Sequence, residues 1–323
     1  MQSTNTTDFI TLRAPVKVNL HLGIYPGRDE RGYHRADSVM IALALGDTVT
    51  VRALPRIAPE ASEAERTGGV LLEMSEDVGV DYRKNTAWIA ASHLRTALAP
   101  GVSPADAPIA ISVEKGVLPQ SGLGGSSSDA ASVILALCRM WNVSPRDERV
   151  VAVARSVGAD VPFFLNPSPS YLSGAGDVLE ETLPEMNDVP VVLVRPREGV
   201  STVAAYRAFD EAPTTPPPAD AMRAALRTGD VSGVARHLYN NLGPVAERLV
   251  SDDARIVEWL TNQCGVLGAQ VSGSGSCVFA LCDTAAHAGE LALLAQELGW
   301  WSAATHTMGA NDLADASVLS GMR

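Results

Sequence analysis

Residues 118–132 read LPQSGLGGSSSDAAS, and the nine that follow, VILALCRMW, are almost wholly apolar. A flexible linker would lead into a new composition, but here Ala130, Val133, Ile134, Leu137 and Trp141 keep helical spacing from Asp129 onward. Serines stand just upstream as candidate N-caps. The glycine run therefore sits at the mouth of a helix and is held against it. In such a loop successive backbone N–H groups converge, and the helix dipole adds about half a positive charge, which suits a phosphate chain. The run is neither a Walker A loop, since no Gly-Lys-Ser/Thr occurs, nor a G-x-G-x-x-G turn behind a strand. A plain tight turn is the alternative.

Around this loop the chain alternates strands and helices. In TLRAPVKVNLHLGI, residues 11–24, the residues Leu12, Ala14, Val16, Val18, Leu20, Leu22 and Ile24 share one face of a strand, and Lys17, Asn19 and His21 share the other. Strands are expected at 47–53 and 109–113, and a helix after Asn85. A second helix, RDERVVAVARSVG, ends at Gly158. Val161 precedes Pro162, which favours extended geometry there and puts Asp160 on a turn. The polar NPSPS at 166–170 is the expected boundary between two halves, 1–168 and 169–323. Beyond it come VVLV, a helix-rich middle, and AQVSGSGSCVFAL, read as strand, glycine turn, strand.

Composition limits the partners. At 323 residues and 46% apolar the chain can fill two ordinary cores. Its net charge of −12, without a basic cluster, argues against nucleic acid. No apolar run approaches the ~20 residues needed to span a bilayer, and MQSTNTTDF has no leader character, so a cytoplasmic protein without membrane contact is expected. Cys138, Cys264, Cys277 and Cys282 stand singly, as buried thiols rather than a disulfide or zinc set. Of 25 basic residues only Lys17, Lys84 and Lys115 are lysines, which suggests places where a compact charge is wanted.

The segment LPQSGLGGSSSDAA resembles the central motif of the GHMP small-molecule kinases. With APVKVNLHL, RGYHRADSVM, KNTAWIAA, GADVPFFL, GVSTVAAY and VSGSGSCVFAL in order, the resemblance covers nearly the whole chain. Within that superfamily the set is most similar to the 4-diphosphocytidyl-2-C-methyl-D-erythritol kinases. The resemblance implies an α+β fold of two domains, ribosomal protein S5 domain 2-like at the N-terminus and ferredoxin-like at the C-terminus. It implies ATP and Mg²⁺ as cofactors and phosphorylation of a small cytidine-bearing alcohol. No metal ligand is assigned.

Residue by residue, it implies that Asp160 accepts the proton of the attacking hydroxyl and that Lys17 is paired with it. Asn85, Lys115 and the run Pro119, Gln120, Ser121, Gly122, Leu123, Gly124, Gly125, Ser126, Ser127, Ser128 and Asp129 fall to ATP. Asn19, Tyr33, His34, Tyr206 and the turn Ser272, Gly273, Ser274 and Gly275 fall to the substrate. A tyrosine can stack on a base, and His34 can hydrogen-bond a pyrimidine edge. Each has an ordinary alternative: Asp160 as a turn cap, Tyr206 as core, VSGSGSC as a hairpin connection.

The pattern is not perfect. Only Gln120 and Ser121 separate Pro119 from Gly122, one residue fewer than in the family, and Ser126 stands where glycine is common. A Cβ restricts positive φ, so Ser126 is expected to alter the backbone's approach to phosphate. A homoserine- or mevalonate-type kinase, or a descendant that binds nucleotide without turning it over, are the alternatives.

Overall fold

The computed structural model describes residues 9–55, 59–309 and 317–321. Residues 1–8, read above as free of a targeting segment, lie outside the described residues. The strands are β1 (Phe9–Arg28), β2 (His34–Ala53), β3 (Val70–Met74), β4 (Ile109–Glu114), β5 (Ser170–Ser173), β6 (Val178–Thr182), β7 (Pro190–Arg195), β8 (Tyr239–Asn240), β9 (Val266–Val271), β10 (Val278–Cys282), β11 (Trp301–His306) and β12 (Ser317–Gly321). The helices are α1 (Pro59–Arg66), α2 (Thr86–Leu98), α3 (Gly125–Met140), α4 (Glu148–Val157), α5 (Val161–Phe164), α6 (Thr202–Glu211), α7 (Asp220–Thr228), α8 (Val231–Arg236), α9 (Gly243–Leu249), α10 (Ser251–Thr261) and α11 (Ala285–Glu297).

Two sheets lie back to back. The first runs β12-β1-β2-β4-β3, with β5 added to β2, β6 to β5 and β8 to β1; the second runs β11-β7-β10-β9, all antiparallel. Val191, Leu193, Phe279 and Leu281 of the second sheet share a core with Val18, Leu20, Val39 and Ile41 of the first. Their strand neighbours Val192, Val194, Val278 and Ala280 face Ile256 and Leu260 of α10 and Leu291 of α11. Helices α2, α3 and α4 cover the outer face of the first sheet. The alternating residues of each central strand are thus claimed by opposite layers, which is why these strands read as almost continuously apolar.

β1 shows what the sequence pattern missed. Its even-numbered apolar residues do not share one face: Ile10, Leu12 and Ala14 pack under α2 and α3, Val16, Val18 and Leu20 between the sheets, and Leu22 and Ile24 against Phe209. Register shifts against β2 between Pro15 and Val16, and between Asn19 and His21, mark irregularities that exchange the faces. Lys17, Asn19 and His21 are themselves buried, each at 3% exposure or less.

Several local expectations need correction. α3 opens at Gly125 rather than Asp129, so the serine triplet forms its first turn. Val161 is helical despite preceding Pro162, because proline suits the first turn of α5, where its missing N–H costs no hydrogen bond. Asp160 stays on the turn before it, at φ −81, ψ −14. Cys264 is exposed on the turn after α10, while the other three thiols are buried. β5 and β6 follow residue 169 yet extend the first sheet through β2, and β12 returns to β1, so the sheets do not divide where NPSPS suggested.

One buried acid sets a pH dependence. Asp253 on α10 is wholly buried, and neither carboxylate oxygen has a protein hydrogen-bond partner. Burial, aided by Glu247, pushes its pKa from 3.8 up to about 7. The unfolded chain releases this proton first as pH rises. The protonated side chain therefore favours the fold in acid, and that contribution is lost as pH climbs through about 7. Asp253→Asn is expected to raise stability near pH 8, by up to about 4 kcal/mol, and to flatten the fall in melting temperature from pH 5 to 8. Parallel melting profiles for both proteins would count against it.

Candidate active site

A cavity of about 720 Å³ opens between the β1–β2 hairpin, the N-terminus of α3, α6 and the 272–276 turn. At its centre is Lys17, only 3% exposed. Its ammonium donates to Asn19 Oδ1 at 2.7 Å and to Gly122 O at 2.9 Å, and Asp160 Oδ2 lies 3.6 Å away. Asn19 is fixed in turn by donating to Ser38 Oγ at 2.9 Å. The first strand, the glycine loop and the turn before α5 thus meet at one ammonium, and a buried ammonium requires such acceptors.

The glycine loop is built for close approach. Gly122 has φ +73, and a Cβ there would lie 2.2 Å from Ser272 O, so only glycine lets the two glycine turns touch. Ser272 Oγ donates to the same Gly122 O at 3.1 Å, and Asn240 Nδ2 holds the far turn through Val271 O and Gly273 O, both at 2.8 Å. Gly124 caps α3 in the left-handed conformation with no side-chain cap. The first-turn N–H groups of Gly125, Ser126 and Ser127 have no intrahelical acceptor, and these residues line the cavity, which suits this end of a 16-residue helix to an anion. Ser126 lies inside that turn with helical geometry, so its Cβ meets none of the restriction expected from the sequence.

Behind the loop, Lys115 is held between two carboxylates. Its ammonium bonds Asp47 Oδ2 and, at 2.9 Å, Asp129 Oδ2, while Asp47 Oδ1 accepts from the N–H groups of Gly116 and Val117. Burial disfavours charge on Lys115, but Asp129 and Asp47 outweigh it and hold the pKa above its ordinary value. Burial raises Asp129 to about 7 against the pull of the Lys115 ammonium, with the nearby Asp47 charge adding to the rise.

At the opposite end, His34 stacks on Tyr206 with ring centroids 5.5 Å apart and meets Phe209 edge-on at 5.7 Å. Of its ring nitrogens, Nδ1 lies 3.0 Å from Tyr25 O, and the buried Nε2 lies 3.0 Å from Asp210 Oδ1 without hydrogen-bond alignment, so it has no hydrogen-bond partner within the protein. Tyr33 is half exposed at the mouth, on a turn pinned by Asp29, whose Oδ1 accepts from the N–H groups of Arg31 and Tyr33. Arg31 also reaches buried Asp177, which Arg155 clamps from α4. Hydrogen bonds from Arg31 and Arg155 outweigh burial and lower Asp177 to about 2.

The family models for the GHMP kinases N terminal domain and the GHMP kinases C terminal match residues 85–167 and 222–297. A 4-diphosphocytidyl-2-C-methyl-D-erythritol kinase of Desulfitobacterium hafniense (strain Y51) is 33% identical over 300 residues, covering 93% of this chain and 96% of its own. Its counterpart in Nocardioides sp. (strain ATCC BAA-499 / JS614) is 34% identical over 292 residues, 87% of this chain and 91% of that one. The chain belongs to the 4-diphosphocytidyl-2-C-methyl-D-erythritol kinase family. A crystal structure of a 4-(cytidine 5'-diphospho)-2C-methyl-D-erythritol kinase matches with TM-score 0.72 and 30% identity, covering 93% of this chain and all of its own. A homoserine kinase from Cytophaga hutchinsonii matches at TM-score 0.67 and 18% identity, over 95% of this chain and 96% of its own, a likeness of fold alone.

This family member is a small-molecule kinase with the α+β fold of the GHMP kinases. Lys17, Asn19, Tyr33, His34, Asn85, Lys115, Pro119, Gln120, Ser121, Gly122, Gly124, Gly125, Ser126, Ser127, Asp129, Asp160, Tyr206, Gly273 and Ser274 line its cavity. Leu123, Ser128, Ser272 and Gly275 do not. Leu123 fills the core between the sheets, Ser128 faces inward along α3, Ser272 is spent on Gly122, and Gly275 backs onto Ala246 and Asp253. Sequence reading passed over Ser38, Asp47, Asn240 and Thr202, whose Oγ1 lies 3.1 Å from Ser274 Oγ. Thr202 and Ser38 carried a signal, since they stand inside GVST and RGYHRADSVM; Asp47 and Asn240 carried none.

Removing the kinase's Lys115 ammonium strands two buried carboxylates. Lys115→Met is expected to cost about 3–5 kcal/mol in urea unfolding at neutral pH, and adding Asp129→Asn is expected to recover part of that. A single substitution as stable as the parent would contradict the shared-cation account.

Proposed function

We propose that this kinase transfers the γ-phosphoryl group of ATP to the 2-hydroxyl of 4-diphosphocytidyl-2-C-methyl-D-erythritol, a step of non-mevalonate isoprenoid synthesis, in the cytosol. The observation that carries it is the meeting of Lys17 and Asp160, 3.6 Å apart, on the cavity wall beside the uncapped end of α3. In this reading residues 1–168 supply the phosphate seat and the reacting pair, and residues 169–323 supply α6 and the second glycine turn.

The triphosphate takes the N–H groups of the α3 first turn, with Asn85 and the 119–129 loop around it. Mg²⁺ supplies charge neutralisation on the phosphate oxygens, and no protein ligand is assigned to it. Asp160 accepts the hydroxyl proton as the oxygen attacks, and Lys17 offsets the negative charge that builds between them. Because Lys17 is locked by Asn19 and Gly122, its charge is in place before the reaction and needs no reorganisation. Tyr206 and Tyr33 supply ring faces for the cytosine. The polar edge of the base falls to His34, whose Nε2 has no hydrogen-bond partner within the protein while Nδ1 is held at Tyr25 O, and to backbone groups beside it.

The test is ADP release by purified protein with ATP, Mg²⁺ and the cytidyl substrate, beside homoserine and mevalonate. Turnover of homoserine or mevalonate but not the cytidyl compound would overturn the substrate; ATP binding without turnover of any would overturn the enzymatic reading. Asp160→Asn is expected to lower kcat about 10²–10⁴-fold, some 3–5 kcal/mol of barrier, with both KM values little changed.

A further inference from the structure

The phosphate loop begins where this sequence departs from the family spacing, with only Gln120 and Ser121 between Pro119 and Gly122. In the fold Gln120 takes φ 54, a left-handed conformation that a residue with a side chain adopts only when its surroundings hold it there. Two bonds from the second sheet flank it: Arg195 Nη2 donates to Pro119 O at 3.2 Å, and the Cys277 N–H donates to Ser121 O at 3.1 Å. Arg195 closes β7 and is 8% exposed. The chain folds tightly over its guanidinium, since a Cβ on Gly199 would lie 3.0 Å from Arg195 Nη2 and 3.3 Å from Gln120 Oε1. The Asp253 carboxyl lies on the side of the 275–277 turn, where a Cβ on Gly275 would come within 3.1 Å of its Oδ2.

We propose that Arg195 is a positioning residue for ATP: by holding the Pro119 carbonyl it keeps Gln120 left-handed between Pro119 and Ser121 and sets how the loop presents its N–H groups to the phosphates. This rests on the reading of residues 119–129 as the ATP seat. Arg195 touches no reacting atom in this account, so its loss acts on nucleotide affinity and not on the chemical step.

Steady-state kinetics on the full chain test it. Arg195→Met keeps the apolar stem and removes the donor. It is expected to raise the ATP KM about tenfold, the scale of one charge-assisted bond. kcat and the KM for the cytidyl substrate stay within about twofold, as a purely structural lesion would not allow. Glycine holds the left-handed backbone unaided, so in a Gln120→Gly background the same substitution is expected to cost about threefold or less. Equal penalties in the two backgrounds, or matching rises in both KM values, would overturn the proposal. If the methionine variant does not fold, Arg195→Lys decides: an intermediate rise in ATP KM supports the role and an unchanged one ends it. Wild-type protein that binds no ATP would overturn the nucleotide reading and this inference together; ATP bound equally by wild type and Arg195→Met would overturn this inference alone.

Discussion

A single buried ammonium dictates much of this architecture. Lys17 sits in a strand covered on both faces, where an unpartnered charge is not tolerated, and its acceptors come from three places in the chain: Asn19 on the same strand, the Gly122 carbonyl and the Asp160 carboxylate. Meeting that demand brings the mouth of α3 and the turn before α5 to β1. The irregularities in β1 serve the same end, because they let one strand feed apolar residues to three cores while keeping Lys17 and Asn19 on a shared side.

The acidic character of the chain fits this economy. With a net charge of −12 it cannot surround a triphosphate with basic side chains, and one of its three lysines, Lys115, is already committed to Asp47 and Asp129. Besides Lys17, the cavity is lined by Arg28, Lys84 and the committed Lys115, and the helix start adds backbone N–H groups in a loop whose glycines allow contact with the neighbouring turn. Anion binding here draws on chain geometry as well as on residue charge.

How far this could be read from the chain alone depended on whether a feature was local. The alternation around Lys17, the helix behind the glycine run, the turn at Asp160 and the order of motifs were visible, because each follows from spacing within a dozen residues. Other features depend on contacts across the fold. Asp47 looked like one acid among many until Lys115 and two N–H groups converged on it. Serines at 126–128 resembled loop because helix starts tolerate them, and the true cap, Gly124, is left-handed for reasons of packing. His34 carries the right chemistry for a pyrimidine edge, but that Tyr25 O would hold its Nδ1 and leave Nε2 unpartnered beside Asp210 lies outside any local pattern.

The contrast between the two ends of the cavity has a mechanical consequence. At the phosphoryl end the two glycine turns are joined at the half-buried Gly122 carbonyl, which accepts from buried Lys17 and buried Ser272. At the aromatic end α6 is fastened to the hairpin by Arg28 and Asp210, 2.5 Å apart but 47% and 38% exposed, a pair that water and salt weaken. Salt thus acts on the outer pair alone, while buried Phe209, seated against Leu22 and Ile24, holds α6 by a contact that ions do not screen.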